Sequence, residues 1–130
     1  MEDKRTYRRG EVYLASLDPR TGSEQGGTRP VLVLQNNAGN YFCPTLIVAP
    51  LTTNLNKKPQ QPTHRFVDGS GALRPSLVML EQITTIDKSR VKKYIGRLKR
   101  EKMREIDDAI EISLGLRIPE DPPRREGGSK

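Results

Sequence analysis

Residues 22–35 read Gly22-Ser23-Glu24-Gln25-Gly26-Gly27-Thr28-Arg29-Pro30-Val31-Leu32-Val33-Leu34-Gln35. The first half is a polar, glycine-rich loop. The second half is a continuous apolar run, the pattern of a strand buried on both faces. Pro30 falls on the first rungs of that strand, where a missing N–H is tolerated. The pattern recurs further along the chain. Thr45-Leu46-Ile47-Val48-Ala49-Pro50-Leu51 is a second core strand that ends in Thr52-Thr53, and Ser76-Leu77-Val78-Met79-Leu80 is a third. Glu11-Val12-Tyr13-Leu14-Ala15 follows Gly10 as a strand and turns at Asp18-Pro19. His64-Arg65-Phe66-Val67 and Tyr94-Ile95-Gly96-Arg97-Leu98 are shorter strands, Asn36-Asn37-Ala38-Gly39-Asn40 is a break, and residues 54–62 form a basic, polar loop. From Arg100 the period changes: Met103, Ile106, Ile110 and Leu114 recur at helical spacing. Five or six strands followed by one helix predict a mainly β fold, a small sheet curled into a partial barrel with the helix against it.

The chain has 130 residues, the size of one domain. Residues 1–7 carry little apolar content and are expected to be flexible. The Pro/Arg/Gly-rich residues 118–130 are expected to be disordered, leaving residues 8–117 as the folded domain. Lys and Arg number 23 against 16 Asp and Glu, a net charge of +7 that favours an anionic partner. The single cysteine, Cys43, excludes an internal disulfide framework, and the single histidine, His64, excludes a two-histidine catalytic pair. No apolar run reaches the roughly 18 residues of a membrane span, and the charged N-terminus is no secretory signal, so a cytoplasmic protein is expected.

Four stretches can carry chemistry. Glycines around Arg29 let the backbone approach a ligand, and a guanidinium there can grip a phosphate; the same residues also suit a plain hairpin loop with Arg29 paired to Glu24. The hydroxyls of Thr52 and Thr53 can bind a phosphate or cap a turn. Glu81-Gln82 can contact bases or form a solvated strand end. The basic run Lys88, Arg90, Lys92, Lys93, Arg97, Lys99, Arg100, Lys102 and Arg104 suits a polyanion or a solvated face. His64 is expected to be structural or peripheral, and Cys43 to be a small buried hydrophobe.

In order, Arg9-Gly10-Glu11-Val12-Tyr13, residues 22–34, Pro50-Leu51-Thr52-Thr53 and Leu80-Glu81-Gln82-Ile83-Thr84-Thr85-Ile86-Asp87 resemble the MazF/PemK family of bacterial toxin endoribonucleases, and most of all its EndoA-like branch. The resemblance runs from about residue 8 to 116. It implies an SH3-like small β-barrel of the CcdB/PemK type with a C-terminal helix, a homodimer, and a type II toxin–antitoxin role. It also implies cleavage of single-stranded RNA without metal or other cofactor, leaving a 2′,3′-cyclic phosphate and a 5′-hydroxyl. Carried over by position, Arg29 and Thr52 are the catalytic pair, and Glu24, Gln25, Thr53 and Gln82 are RNA-contacting positions. A MazE-like antitoxin is the implied protein partner, and no membrane is involved. RNA supplies its own nucleophile, the 2′-hydroxyl, so the protein has to align it and stabilise phosphate charge. A non-catalytic CcdB-like toxin, or a nucleic-acid- or protein-binding module on the same barrel, is the alternative.

Overall fold

The computed structural model of the chain describes residues 6–17, 26–56 and 61–117. Among these, seven strands make one antiparallel sheet: β1 (Glu11–Ser16), β2 (Thr28–Val33), β3 (Thr45–Thr52), β4 (His64–Val67), β5 (Ser76–Met79), β6 (Thr84–Asp87) and β7 (Val91–Arg97). Helix α1 (Asn37–Phe42) joins β2 to β3, and helix α2 (Arg100–Ser113) follows β7. The strand order is β4-β5-β3-β2-β1-β7, with β6 also paired to β3. The expected mainly β architecture with a C-terminal helix is therefore present. Among the described residues β4 and β7 do not pair, so the sheet does not close into a complete barrel.

β3 is the hub. One of its edges pairs with β2. The other is shared: β6 takes Thr45 to Val48, and β5 takes Leu51 and Thr52. Side chains alternate between two apolar clusters, as expected for strands covered on both faces. Val31, Val33, Leu46 and Val48 join Tyr13, Ala15 and Ile86 on one face. Leu32, Leu34, Ala49 and Leu51 join Val12, Val78 and Leu80 on the other, where Ile106 and Ala109 of α2 cover them. Salt bridges Arg9–Asp107 (2.6 Å) and Arg65–Asp108 (3.2 Å) flank that contact. Leu114, expected on the same helical stripe, is the helix C-cap and lies 60% exposed; the chain has already turned away from the sheet there.

Three readings of the sequence need correction. Tyr7, placed in the flexible segment 1–7, is buried: its ring packs edge-on against Tyr13 (5.1 Å) and lies under the Lys88 ammonium. A lone aromatic in a charged stretch still finds a partner when the next strand offers a ring. Residues 36–40, read as a break, begin α1: Asn36 caps it by accepting from the Gly39 N–H at 2.8 Å. β6 was missed and β7 starts three residues early, because Thr84–Asp87 buries only Ile86 and lacks an apolar run. The tail 118–130 and residues 1–5 lie outside the described residues. No helix among the described residues is long and apolar enough to cross a membrane.

A buried amide knot sits where β2 meets α1. Gln35 Nε2 donates to Asn40 Oδ1 (3.1 Å) and to the Thr45 carbonyl (2.9 Å), and Asn40 Nδ2 donates back to the Gln35 carbonyl (2.9 Å). The Leu34 and Gln35 N–H groups both donate to the Ile47 carbonyl (2.9 and 3.2 Å). These bonds tie the end of β2 to the start of β3, so the connection cannot slide. Asn40→Leu leaves buried amide groups without their partners and is expected to cost about 1–3 kcal/mol. Urea unfolding should show a lower midpoint at unchanged m-value.

Candidate active site

The β2–β3 ladder pairs Val33 with Val48, Leu32 with Ala49 and Val31 with Pro50. The ladder ends at that pair; Arg29 stays paired with Ala15 of β1, and its Nη1 reaches back to β3, 3.4 Å from the Leu51 carbonyl, one residue before Thr52. By alternation Arg29 shares a face with Val31 and Val33, and Thr52 with Val48, so both lie on the same side of the sheet, at the far end of β2 from the amide knot. The loop enters β2 through Gly27, whose φ of 75° lies in the left-handed region that glycine adopts without strain. The Gly27 carbonyl accepts from the Leu17 N–H (2.9 Å), which closes the base of the loop.

Arg29 is half-buried and held. Its Nε donates to the Gly26 carbonyl (2.9 Å) and Nη1 reaches the Leu51 carbonyl at 3.4 Å. Nη2 makes no hydrogen bond among the described residues, which leaves a donor on a fixed cation for an incoming anion. Thr52 is 8% exposed, and its Oγ1 accepts from the Asn54 N–H (3.1 Å). That bond occupies a lone pair and leaves the hydroxyl proton free to donate. Thr53, one residue past β3's last pairing, is exposed and makes no hydrogen bond among the described residues.

Gln82 ends the 3-10 turn Leu80–Gln82, which links β5 to β6 and packs on β3; its side chain is half-buried and engaged. Glu24 and Gln25, and with them the reading that pairs Arg29 with Glu24, lie outside the described residues. The structure thus brings Arg29 to the Leu51 carbonyl next to Thr52, leaves Thr53 exposed just past the end of β3, and places Gln82 in the turn that packs on β3.

Sequence reasoning missed a second polar group. His64, whose side chain is 2% exposed, sets Nε2 2.8 Å from Glu81 Oε2. Thr63 Oγ1 donates to Glu81 Oε1 at 3.0 Å. β4 pairs with β5 through His64↔Met79, and Glu81 follows two residues later, so His64 takes the structural one of its two expected roles. Only the hairpin register signals this contact. The basic run also divides. Lys88 donates to the Asn40 carbonyl (2.6 Å) and Lys102 pairs with Glu105, so both are structural, whereas Lys92, Lys93 and Arg97 are exposed on β7, an end strand of the sheet. Cys43 is exposed rather than buried.

A small open β-sheet, one covering helix and an arginine–hydroxyl pair at a strand end define a compact anion-handling protein. Comparison with known proteins places it more closely. The family model described as PemK-like, MazF-like toxin of type II toxin-antitoxin system matches residues 8–114. An Endoribonuclease MazF of Staphylococcus saprophyticus is 50% identical over 111 residues, covering 84% of this chain and 92% of that one. A mycobacterial endoribonuclease solved in complex with its cognate antitoxin superposes with a TM-score of 0.72 at 28% identity, over 87% of this chain and 99% of that one. MazF from Deinococcus radiodurans shares the fold, with a TM-score of 0.75 at 21% identity over 86% and 99% of the two chains. The chain belongs to the PemK-like, MazF-like toxin family of type II toxin–antitoxin systems.

The Glu81 carboxylate holds an almost fully buried imidazole. Glu81→Leu removes that partner and is expected to lower stability by about 1 kcal/mol, read as a fall in the urea midpoint.

Proposed function

We propose that this chain is an endoribonuclease toxin that cuts single-stranded RNA at Arg29 and Thr52. The observation that carries this reading is that Arg29, held by the Gly26 carbonyl, reaches the Leu51 carbonyl next to Thr52, whose Oγ1 accepts from the Asn54 N–H.

The chemistry follows from what RNA brings. The 2′-hydroxyl attacks the adjacent phosphorus, the bond to the 5′-oxygen breaks, and the products are a 2′,3′-cyclic phosphate and a 5′-hydroxyl. Negative charge builds on the non-bridging oxygens as the phosphorus becomes five-coordinate. Arg29 supplies a permanent, forked cation to those oxygens. Thr52 donates a hydrogen bond to one of them and helps hold the ribose in line, while the 2′-hydroxyl gives up its proton and the leaving 5′-oxygen takes one up from solvent. Arg29 is already restrained by Gly26 and Leu51, so little reorganisation accompanies charge development. The nucleophile belongs to the substrate, so the step does not need a metal to make hydroxide. Gln82, Thr53 and the loop bearing Glu24 and Gln25 are proposed to contact bases beside the cut.

The antitoxin role belongs to the same reading. A basic protein that accepts RNA across a cationic face also accepts an acidic segment that folds on binding. We take the working species to be a homodimer in the cytoplasm, as the family reading implies.

Two measurements test this. In EDTA, the wild-type protein should cut a long defined RNA to fragments with cyclic phosphate ends. Arg29→Ala and Thr52→Val should each slow single-turnover cleavage by about 10²–10³-fold. Wild-type rates in purified Arg29→Ala would remove the assigned site. Separately, an acidic peptide from the cognate antitoxin should raise the apparent Kd for RNA in proportion to its concentration. Simultaneous binding without loss of RNA affinity would show that the two do not share a surface.

A further inference from the structure

The face that carries Arg29 and Thr52 does not stop at β3. Thr52 is the direct partner of Leu77 on β5, and Leu77 is the direct partner of Phe66 on β4. Opposed residues share a face, so Thr52, Leu77 and Phe66 form one row across three neighbouring strands, on the face of the sheet that Arg29 also shares. With strands about 4.8 Å apart, Phe66 stands roughly 10 Å from Thr52, two strand spacings away. The opposite face of β4 is already occupied: Arg65 pairs with Asp108 of α2, and Val67 joins the apolar cluster beneath that helix. Phe66 therefore points away from α2, on the side of the cleavage pair.

Packing within the chain does not account for this residue. Leu77, beside it in the row, is 4% exposed, whereas Phe66 is 43% exposed. Among the described residues its ring meets no other aromatic ring. The chain's second phenylalanine, Phe42, is 80% exposed and stacks edge-on with Tyr41 (4.8 Å) on α1, at the other end of β2 and away from Thr52. What singles Phe66 out is its place: a half-exposed phenyl ring in the row that starts at Thr52 offers an aromatic face to a ligand bound there. Unstacked RNA bases are such ligands, and single strands are bound through stacking on aromatic side chains.

We infer that Phe66 is a base-stacking residue that seats a nucleobase close to the scissile linkage, on the β5–β4 side of Thr52. This rests on the cleavage reading of Arg29 and Thr52. Phe66 touches a base, not the reacting phosphate, so it acts on substrate binding and leaves the chemical step alone. Stacking uses a π-face that every base owns, so the seat contributes affinity with weak sequence preference. The polar contacts of Gln82 and the β1–β2 loop then carry base choice.

The test uses a short oligoribonucleotide spanning a mapped cut, with the scissile ribose replaced by 2′-deoxyribose so that it binds without being cleaved. 2-Aminopurine replaces, in turn, each base within two positions of the cut. Wild-type protein should change the fluorescence strongly at one position on a single side of the cut. Phe66→Ala and Phe66→Leu should abolish that change and weaken Kd about tenfold or more, while Phe66→Tyr keeps both. On unmodified RNA, KM should rise for Phe66→Ala while kcat at saturation stays within about twofold.

Binding within twofold of wild type for Phe66→Ala overturns the proposal. So does full function in Phe66→Leu, which keeps apolar bulk without a ring. A changed sedimentation mass with an unaltered 2-aminopurine signal also overturns it, since Phe66 would then be a subunit contact. Intact unmodified RNA after incubation with wild-type protein would instead remove the cleavage reading. The fluorescence signal on the uncleavable strand judges the stacking seat separately.

Discussion

The bonds between Gln35, Asn40 and the Thr45 and Ile47 carbonyls set the geometry of everything downstream. A one-residue slip in a β-ladder sends every side chain to the opposite face. β2 and β3 are apolar on both faces, so hydrophobic patterning alone resists such a slip only weakly. The amide knot supplies the missing specification at one end of the ladder. From there the ladder runs through Val33↔Val48 and Leu32↔Ala49 to Val31↔Pro50, and beyond it Arg29 reaches the Leu51 carbonyl next to Thr52. The proposed chemistry at one end of β2 thus depends on buried polar groups at the other, about 20 Å away at 3.3 Å per residue. Buried polar groups are costly unless satisfied; here they are satisfied, and the return is a unique register.

The same ladder explains why the molecule can be small. β3 lends one edge to β2 and divides the other between β6 and β5, so a single strand organises both apolar clusters. Where β6 ends and β5 begins, the sheet face leaves the apolar interior. Thr52 sits at that point, which is where a side chain can be rigidly held yet meet a ligand. The charge of +7 has mixed uses. Lys88 and Lys102 are structural. Exposed Lys92 and Lys93 on β7 both attract polyanions and discourage another strand from adding to that end of the sheet.

Much of this was legible in the sequence because apolar runs mark doubly covered strands: residues 31–34, 45–51 and 76–79 were readable from composition alone. The pairing of Arg29 with Thr52 was not readable that way. It entered through resemblance to a toxin family, and the structure adds that Arg29 Nη1 lies 3.4 Å from the Leu51 carbonyl, next to Thr52. What stayed hidden shares one cause. β6 contributes one buried side chain, α1 is a single capped turn and a half, and Tyr7 packs against a ring six residues on. The contact of His64 with Glu81 and the row ending in Phe66 depend on which strands neighbour which, and linear spacing does not encode that. Glu24 and Gln25, which the resemblance places near the cut, fall outside the described residues.

The central claim is that Arg29 and Thr52 act on one phosphate as a unit, and a double-mutant cycle tests it most directly. Single-turnover cleavage of one defined RNA is measured in EDTA for wild type, Arg29→Lys, Thr52→Ser and the double variant. Groups that work together are strongly non-additive, so the double variant should be little slower than the slower single variant. Rate losses that multiply would mean that the two side chains act independently, and would contradict the account.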